Sequence, residues 1–208
     1  MKINIEVGSN SGKDTDTLIN PEFLTFAFEP SIFLYCELVQ KFKDNPNVIL
    51  VPFAVSDVDG LADFNASSLG DKGLGSLYDY NEKLLESPLK KHPIFHQKFD
   101  RKQKVLSVRL DSFLRTFLCN YRNPEPVSIE YLWIDAQGSD FKVIQSLGDF
   151  LPFVKEGRCE CTYKIPLYSI ETNTYENVKN YLEENGFNTE ILKIHDDESE
   201  LDLRFWKK

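Results

Sequence analysis

The chain has 208 residues, of which 41% are hydrophobic and 27% charged, with a net charge of −9. That size suits one α/β domain with a substantial core, and the acidity argues against nucleic acid as the main partner, because phosphate binding needs a cationic footprint. No apolar run reaches the ~18–20 residues of a membrane span, and Met1 leads straight into a strand rather than a signal peptide, so a single cytoplasmic domain over residues 1–208 is expected.

The opening run Ile3 to Val7 reads as a buried strand, followed by the turn Gly8-Ser9-Asn10-Ser11-Gly12 and a helix over Lys13 to Leu18. A strand that enters a glycine-rich turn and then a helix presents backbone N–H groups to a nucleotide-like ligand. A dinucleotide site asks for G-x-G-x-x-G, whose second glycine admits a pyrophosphate. Here Asn10 holds that position, so a cofactor without phosphates fits better. Phe26-Ala27-Phe28-Glu29-Pro30 is a second strand with a carboxylate at its end, about 20 positions after the glycine turn, where ribose hydroxyls are commonly bound. The expected cofactor contacts are Glu6, Gly8, Ser9, Asn10, Gly12, Glu29 and Pro30.

Ser31 to Phe42 forms the next helix, with Ser31 as its N-cap. Val48 to Phe53 is a third strand, which Ala54-Val55-Ser56-Asp57 carries to a polar end. Ser56 and Asp57 join the expected cofactor contacts, Asp57 near the adenine. Three strands with intervening helices imply a right-handed parallel sheet. Residues 61–104 then break the rhythm with glycine turns and little periodicity, as a lid or binding loop does. This insertion holds Tyr78, Tyr80, Phe95, Phe99, His92 and His96, and its Ser76 is expected beside the cofactor. Its basic segment Lys98 to Lys104 reads as a solvated loop.

Val105 to Val108 is a short strand and Asp111 to Leu118 a helix. Tyr131 to Asp135 is the fourth parallel strand, followed by Ala136-Gln137-Gly138-Ser139 and a helix marked by Phe141, Ile144 and Leu147. A strand over Gly157 to Thr162, a helix over Thr174 to Asn185 closed by Gly186, and two strands, Thr189 to Ile194 and Leu201 to Trp206, complete the chain. The last two form an antiparallel hairpin around the acidic turn His195 to Glu198. The four cysteines have no metal-ligand spacing and read as buried free thiols, which suits a reducing compartment.

In order along the chain, Glu6 to Gly12, Phe28-Glu29-Pro30, Ala54-Val55-Ser56-Asp57, Leu110 to Leu114 and Ile134 to Asp140 resemble the FkbM family of S-adenosylmethionine-dependent methyltransferases. The resemblance implies an α/β, Rossmann-like methyltransferase fold. Its mostly parallel seven-stranded sheet ends in an antiparallel hairpin and carries helices on both faces. It also implies an S-adenosylmethionine site that includes Asp135 and Gln137, and O-methylation of a sugar or glycan hydroxyl. The family usually has glutamate where this chain has Gln137, and often a helix before the first strand. The lack of that helix implies a minimal member or a module of a longer polypeptide, with glycosyltransferase domains as expected covalent neighbours.

Methyl transfer to a hydroxyl needs alignment of oxygen and methyl carbon and removal of the hydroxyl proton. Asp135, at the end of the fourth strand, is the first candidate for that proton, with Glu160 and His195 as further catalytic candidates. Asp135, Asp140 and Glu160 could instead hold Mg²⁺ or Mn²⁺ as an oxygen-rich site. A third role for Asp135 is to hydrogen-bond the cofactor or cap the helix that begins near Ser139. The competing functions are an NAD(P)-dependent oxidoreductase and a non-catalytic binding module.

Overall fold

The computed structural model describes residues 1–66, 72–82, 99, 101–119 and 127–208. The elements begin with β1 (Lys2–Val7), α1 (Lys13–Leu18), β2 (Leu24–Phe28), α2 (Ile32–Phe42), β3 (Val48–Val51) and β4 (Ala54–Val55). They continue with β5 (Gly60–Ala66), β6 (Arg101–Val108), α3 (Leu110–Cys119), β7 (Ser128–Ile134) and α4 (Asp140–Ser146). The last are β8 (Glu156–Thr162), α5 (Tyr175–Glu184), β9 (Phe187–Ile194) and β10 (Glu200–Lys207).

The main sheet has seven strands in the order β3-β2-β1-β7-β8-β10-β9. Its first five strands are mutually parallel, and β10 runs antiparallel to both β8 and β9. Ile3, Ile5 and Val7 of β1 and Leu201, Leu203 and Phe205 of β10 share one large buried cluster with Leu110 and Leu114 of α3, Val143 and Ile144 of α4 and Val178 and Leu182 of α5. The opposite face of β1 carries Asn4 and Glu6, whose side chains bond the Leu18 carbonyl and Thr15 in and beside α1. Helices thus cover both faces. Strand order reverses between β1 and β7, and open α/β sheets bind ligands outside the carboxyl ends of the strands at such a switch point. Gly8 and Asp135 stand there.

Several local expectations are corrected. Ala54–Val55 does not prolong the third strand but pairs with β6 in a separate three-stranded sheet, β4-β6-β5. The insertion is therefore partly built: β5 and β6 run antiparallel from Gly60↔Ser107 to Ala66↔Arg101. Arg101 to Lys104 lie on β6 rather than in a loop, although Lys102 and Lys104 are solvated and paired with Asp79 and Asp63. Cys159 and Cys161 are buried free thiols, whereas Cys36 and Cys119 are free but exposed. Ser31 and Ser139 precede α2 and α4 without making a side-chain cap, while Thr174 does cap α5 by accepting from Asn177 N at 3.2 Å. His92, His96, Phe95 and Lys98 lie outside the described residues. Among those described, no helix is long and apolar enough to cross a membrane.

Candidate active site

The glycine turn is held by its close approach to β7. Gly8 has φ +88°, and a Cβ there would stand 1.9 Å from the Asp135 carbonyl oxygen, so only glycine fits. Gly8 N and Ser9 N both donate to Phe28 O at 3.0 Å, Gly12 N donates to Ser9 O at 2.6 Å, and Asn10 N donates to Glu29 Oε2 at 2.9 Å. The expectation of a turn that offers these N–H groups to a ligand is thereby corrected. Four of them are consumed inside the protein, because the turn must satisfy its own buried backbone.

Glu29 follows β2 and is 4% exposed. Its Oε1 accepts from Ser31 N at 2.7 Å and its Oε2 from Asn10 N. Burial pushes its carboxyl up to about 7, against the two backbone hydrogen bonds. Glu6 is likewise buried and pushed up to about 7 by desolvation, opposed by the hydroxyl of Thr15, which donates to Glu6 Oε2 at 2.5 Å. Glu6 therefore braces α1 beneath the turn.

Above these groups opens a cleft at the carboxyl ends of the strands, where open α/β sheets bind their ligands. Of the expected cofactor contacts, Gly8, Asn10, Glu29, Pro30, Asp135 and Gln137 line it. Glu6, Ser9, Gly12, Ser56, Asp57 and Ser76 are not among its lining residues. Asp57 instead accepts from Ser56 Oγ at 3.0 Å and lies 3.3 Å from Lys142 Nζ. Partial burial would raise its carboxyl, but Ser56 and Lys142 outweigh that and hold it below the usual range. The apolar wall is Leu34, Phe53, Ala54 and Val55, and the small sheet contributes Phe64, with Gly73, Gly75 and Leu77 alongside. The sequence reading missed these residues. An apolar wall carries no chemical signature, and Phe64 and Leu77 lie in a stretch without periodicity.

Asp135 sits at the carboxyl end of β7, its backbone N–H bonded to Val7 O at 2.9 Å. Gln137, in the left-handed region at φ +48°, turns back so that its Nε2 donates to Asp135 Oδ1 at 2.5 Å, and the Tyr168 hydroxyl donates to Gln137 Oε1. Burial raises Asp135 to about 6, and the Gln137 hydrogen bond opposes that rise. Ser76 reaches the same loop, donating its Oγ to Gln137 O at 2.7 Å and accepting from Tyr78 N at 3.0 Å. Ser76 thus ties the small sheet to the cleft floor. The insertion's aromatics pack on one another, Tyr80 stacking on Phe99 at 3.9 Å beside Tyr168.

Beyond Asp135 lies a carboxylate-rich region. Asp140 is fully buried, accepts from Glu160 N at 3.1 Å, and is raised to about 7 by burial and then by the Asp135 charge. His195 Nε2 is 3.6 Å from Glu160 Oε1, so two of the catalytic candidates do meet. Burial, then Asp135 and Glu200, keep Glu160 well above the usual carboxylate range. The expected cation set of Asp135, Asp140 and Glu160 is corrected. Among the described residues, the carboxylate and imidazole groups with ligand atoms within 4.8 Å of one another are Glu160, His195 and Glu200.

A parallel sheet that reverses at a glycine turn, ends in an antiparallel hairpin and opens a carboxylate-lined cleft at the switch point is the architecture of Rossmann-like methyltransferases. Residues 6–189 match the model of the methyltransferase FkbM domain, and the chain belongs to that family. Its fold is similar to a crystal structure of methyltransferase FkbM from Methylobacillus flagellatus KT, with a TM-score of 0.59 at 10% identity over 99% of this chain and 43% of that one. It is also similar to Aeropyrum pernix fibrillarin with natively bound S-adenosyl-L-methionine, with a TM-score of 0.51 at 11% identity over 99% of this chain and 65% of that one. The chain thus spans less than two thirds of the length of each. No curated protein matches it by sequence.

Proposed function

We propose that the protein transfers a methyl group from S-adenosylmethionine to a hydroxyl of a sugar or glycan. The observation that carries the cofactor is the charge of the cleft: Glu29 and Asp135 line it, and no Lys or Arg does so among the described residues. The N–H groups of Gly8, Ser9, Asn10 and Gly12 are already used. Such a site suits a cation without phosphates and repels the pyrophosphate of NAD(P), which disfavours the oxidoreductase. The Ser139 hydroxyl, 1% exposed at the cleft wall and without a hydrogen-bond partner, is a further polar contact for a ligand.

S-adenosylmethionine supplies an electrophilic methyl carbon on a sulfonium. In this reading Glu29 keeps free lone pairs for ribose hydroxyls, since each oxygen spends one on a backbone N–H. Leu34, Phe53 and Val55, the apolar wall of the cleft, would hold the adenine. Asp135 accepts the proton of the acceptor hydroxyl as its oxygen bonds the methyl carbon and the carbon–sulfur bond breaks. Gln137 keeps the Asp135 carboxylate oriented and ionised for that transfer. The acceptor is the part carried by family resemblance, supported by the acidic chain, which disfavours nucleic acid.

Calorimetric titration with S-adenosylmethionine, S-adenosylhomocysteine and NAD⁺ tests the cofactor; saturable binding of the first two and not the third is expected. Methyl transfer to a panel of glycans, with a structured RNA as comparator, tests the acceptor. Transfer to RNA alone would overturn the sugar reading, and binding without transfer to any acceptor would favour the binding module.

A further inference from the structure

The end of β8 and the turn between β9 and β10 gather a set of side chains that the proton transfer at Asp135 leaves unassigned. Glu160, His195 and Glu200 each offer a ligand atom within 4.8 Å of the others. Asp202 lies directly opposite Glu160 in the β8/β10 ladder, where like charges repel. Its Oδ2 is 3.0 Å from Arg158, but its Oδ1, in a residue only 5% exposed, accepts no hydrogen bond. That oxygen faces His195 Nε2 at 3.9 Å, and Glu160 Oε1 faces the same nitrogen at 3.6 Å. Both separations exceed a hydrogen bond. They come close to the spacing of atoms that share an ion, since ligands 2.0–2.2 Å from a tetrahedral centre stand about 3.4 Å apart.

The turn is braced for such a role. His195 N donates to Glu200 O at 3.0 Å, Glu198 N to His195 O at 2.8 Å, and Tyr163 N to Ser199 O at 2.8 Å. These bonds fix the backbone of the turn that carries His195 against the two strands.

We propose that Glu160, His195 and Glu200, with Asp202 Oδ1 adjoining, form a site for a divalent first-row transition ion such as Mn²⁺ or Zn²⁺. One imidazole among carboxylates selects such an ion over Mg²⁺ and Ca²⁺, which favour oxygen alone. An ion there draws the Glu160 and Glu200 carboxylates into shared attraction and sets a positive charge beside the orphaned oxygen of Asp202. Occupancy of this site is independent of the methyl-transfer reading.

The test is titration of the full chain with Mn²⁺, followed by loss of the free-ion paramagnetic resonance signal, with Zn²⁺ followed by calorimetry. One ion per chain is expected. His195→Gln and Glu200→Gln should each weaken it by at least about tenfold, since even the outer partners of metal ligands are worth that much, and Asp135→Asn should leave it within about twofold. Circular dichroism of His195→Gln, an exchange at a partly exposed turn, verifies that the fold survives. Absence of saturable binding by either ion, or binding that survives both exchanges, overturns the site. Binding that is lost in Asp135→Asn yet intact in His195→Gln overturns it in favour of a cation at Asp135.

Discussion

Gln137 Nε2 donates to Asp135 Oδ1 at 2.5 Å, and the same side chain accepts from the Tyr168 hydroxyl through its Oε1. An amide can do both at once; a carboxylate in its place would set a like charge against Asp135. The neutral residue at position 137 is therefore an asset to the carboxylate beside it. It opposes the burial that lifts Asp135 to about 6.

Gln137→Leu removes that donor and should raise the Asp135 pKa further. A hydrogen bond to a charged group is worth about 1.5–3 kcal/mol, which corresponds to about 1–2 pH units. Asp135 accepts a proton only when ionised, so transfer by the native protein falls as pH drops through about 6. The acid limb of the pH–rate profile should move upward in the variant. An unmoved limb, with turnover merely lower, would assign the limb to another group.

Glu29→Ala should weaken S-adenosylmethionine binding by about 1.5–3 kcal/mol, the worth of hydrogen bonds to a charged group. Because Glu29 also accepts from Asn10 N and Ser31 N, some thermal stability should be lost with it. Calorimetry on the folded variant separates the two effects. Unchanged affinity would remove Glu29 from the ribose.

The order of the main elements was legible because each strand of the parallel sheet is a short apolar run bounded by turn residues, and α5 shows a cap, a period and a terminating glycine. What was not legible depended on distant pairing. Ala54 and Val55 look like the tail of the preceding strand, yet they pair with Ser107 and Val108, more than fifty positions away. The cleft lining was readable where glycine or a strand-end carboxylate marked it, as at Gly8, Glu29 and Asp135. The partners of Ser76 and Asp57 were not legible, because a polar residue near a crevice on paper gives no sign of what it bonds. Here those partners are the Gln137 carbonyl and Lys142.

Stability should fall as pH rises from about 6 to 8. Glu6, Glu29 and Asp140 are raised to about 7 and Glu200 to about 8 by burial. In that window the folded chain holds protons that the unfolded chain has released, so the stability these groups contribute is present below their unfolded values and lost through their folded ones. Each retained proton is worth about 1.4 kcal/mol per pH unit. Asp57, held low by Ser56 and Lys142 against its burial, titrates on the acid side and does not offset the loss. Urea denaturation at pH 6 and 8 should show a lower midpoint at pH 8 at unchanged slope. Equal midpoints would mean that water or ions solvate these carboxylates in the folded protein.

Ser76→Ala tests whether the small sheet acts as a wall of the cofactor cleft. The hydroxyl bridges two backbone groups, donating to Gln137 O at 2.7 Å and accepting from Tyr78 N at 3.0 Å, and the residue is 1% exposed. Its removal leaves both without that partner, at a cost of about 1–3 kcal/mol for a buried group. The bond joins the insertion to the loop that aims Gln137 at Asp135, so the loss should be felt at the site as well as in overall stability. Phe64, Gly73, Gly75 and Leu77 line the cleft from the insertion side. The expected result is weaker S-adenosylmethionine binding, by at least about fivefold or roughly 1 kcal/mol, together with lower turnover. Leu77→Ala, which thins the same wall without breaking a hydrogen bond, should also weaken binding. If both variants bind the cofactor as the native protein does, the small sheet does not wall the cofactor, and the insertion acts on the acceptor alone.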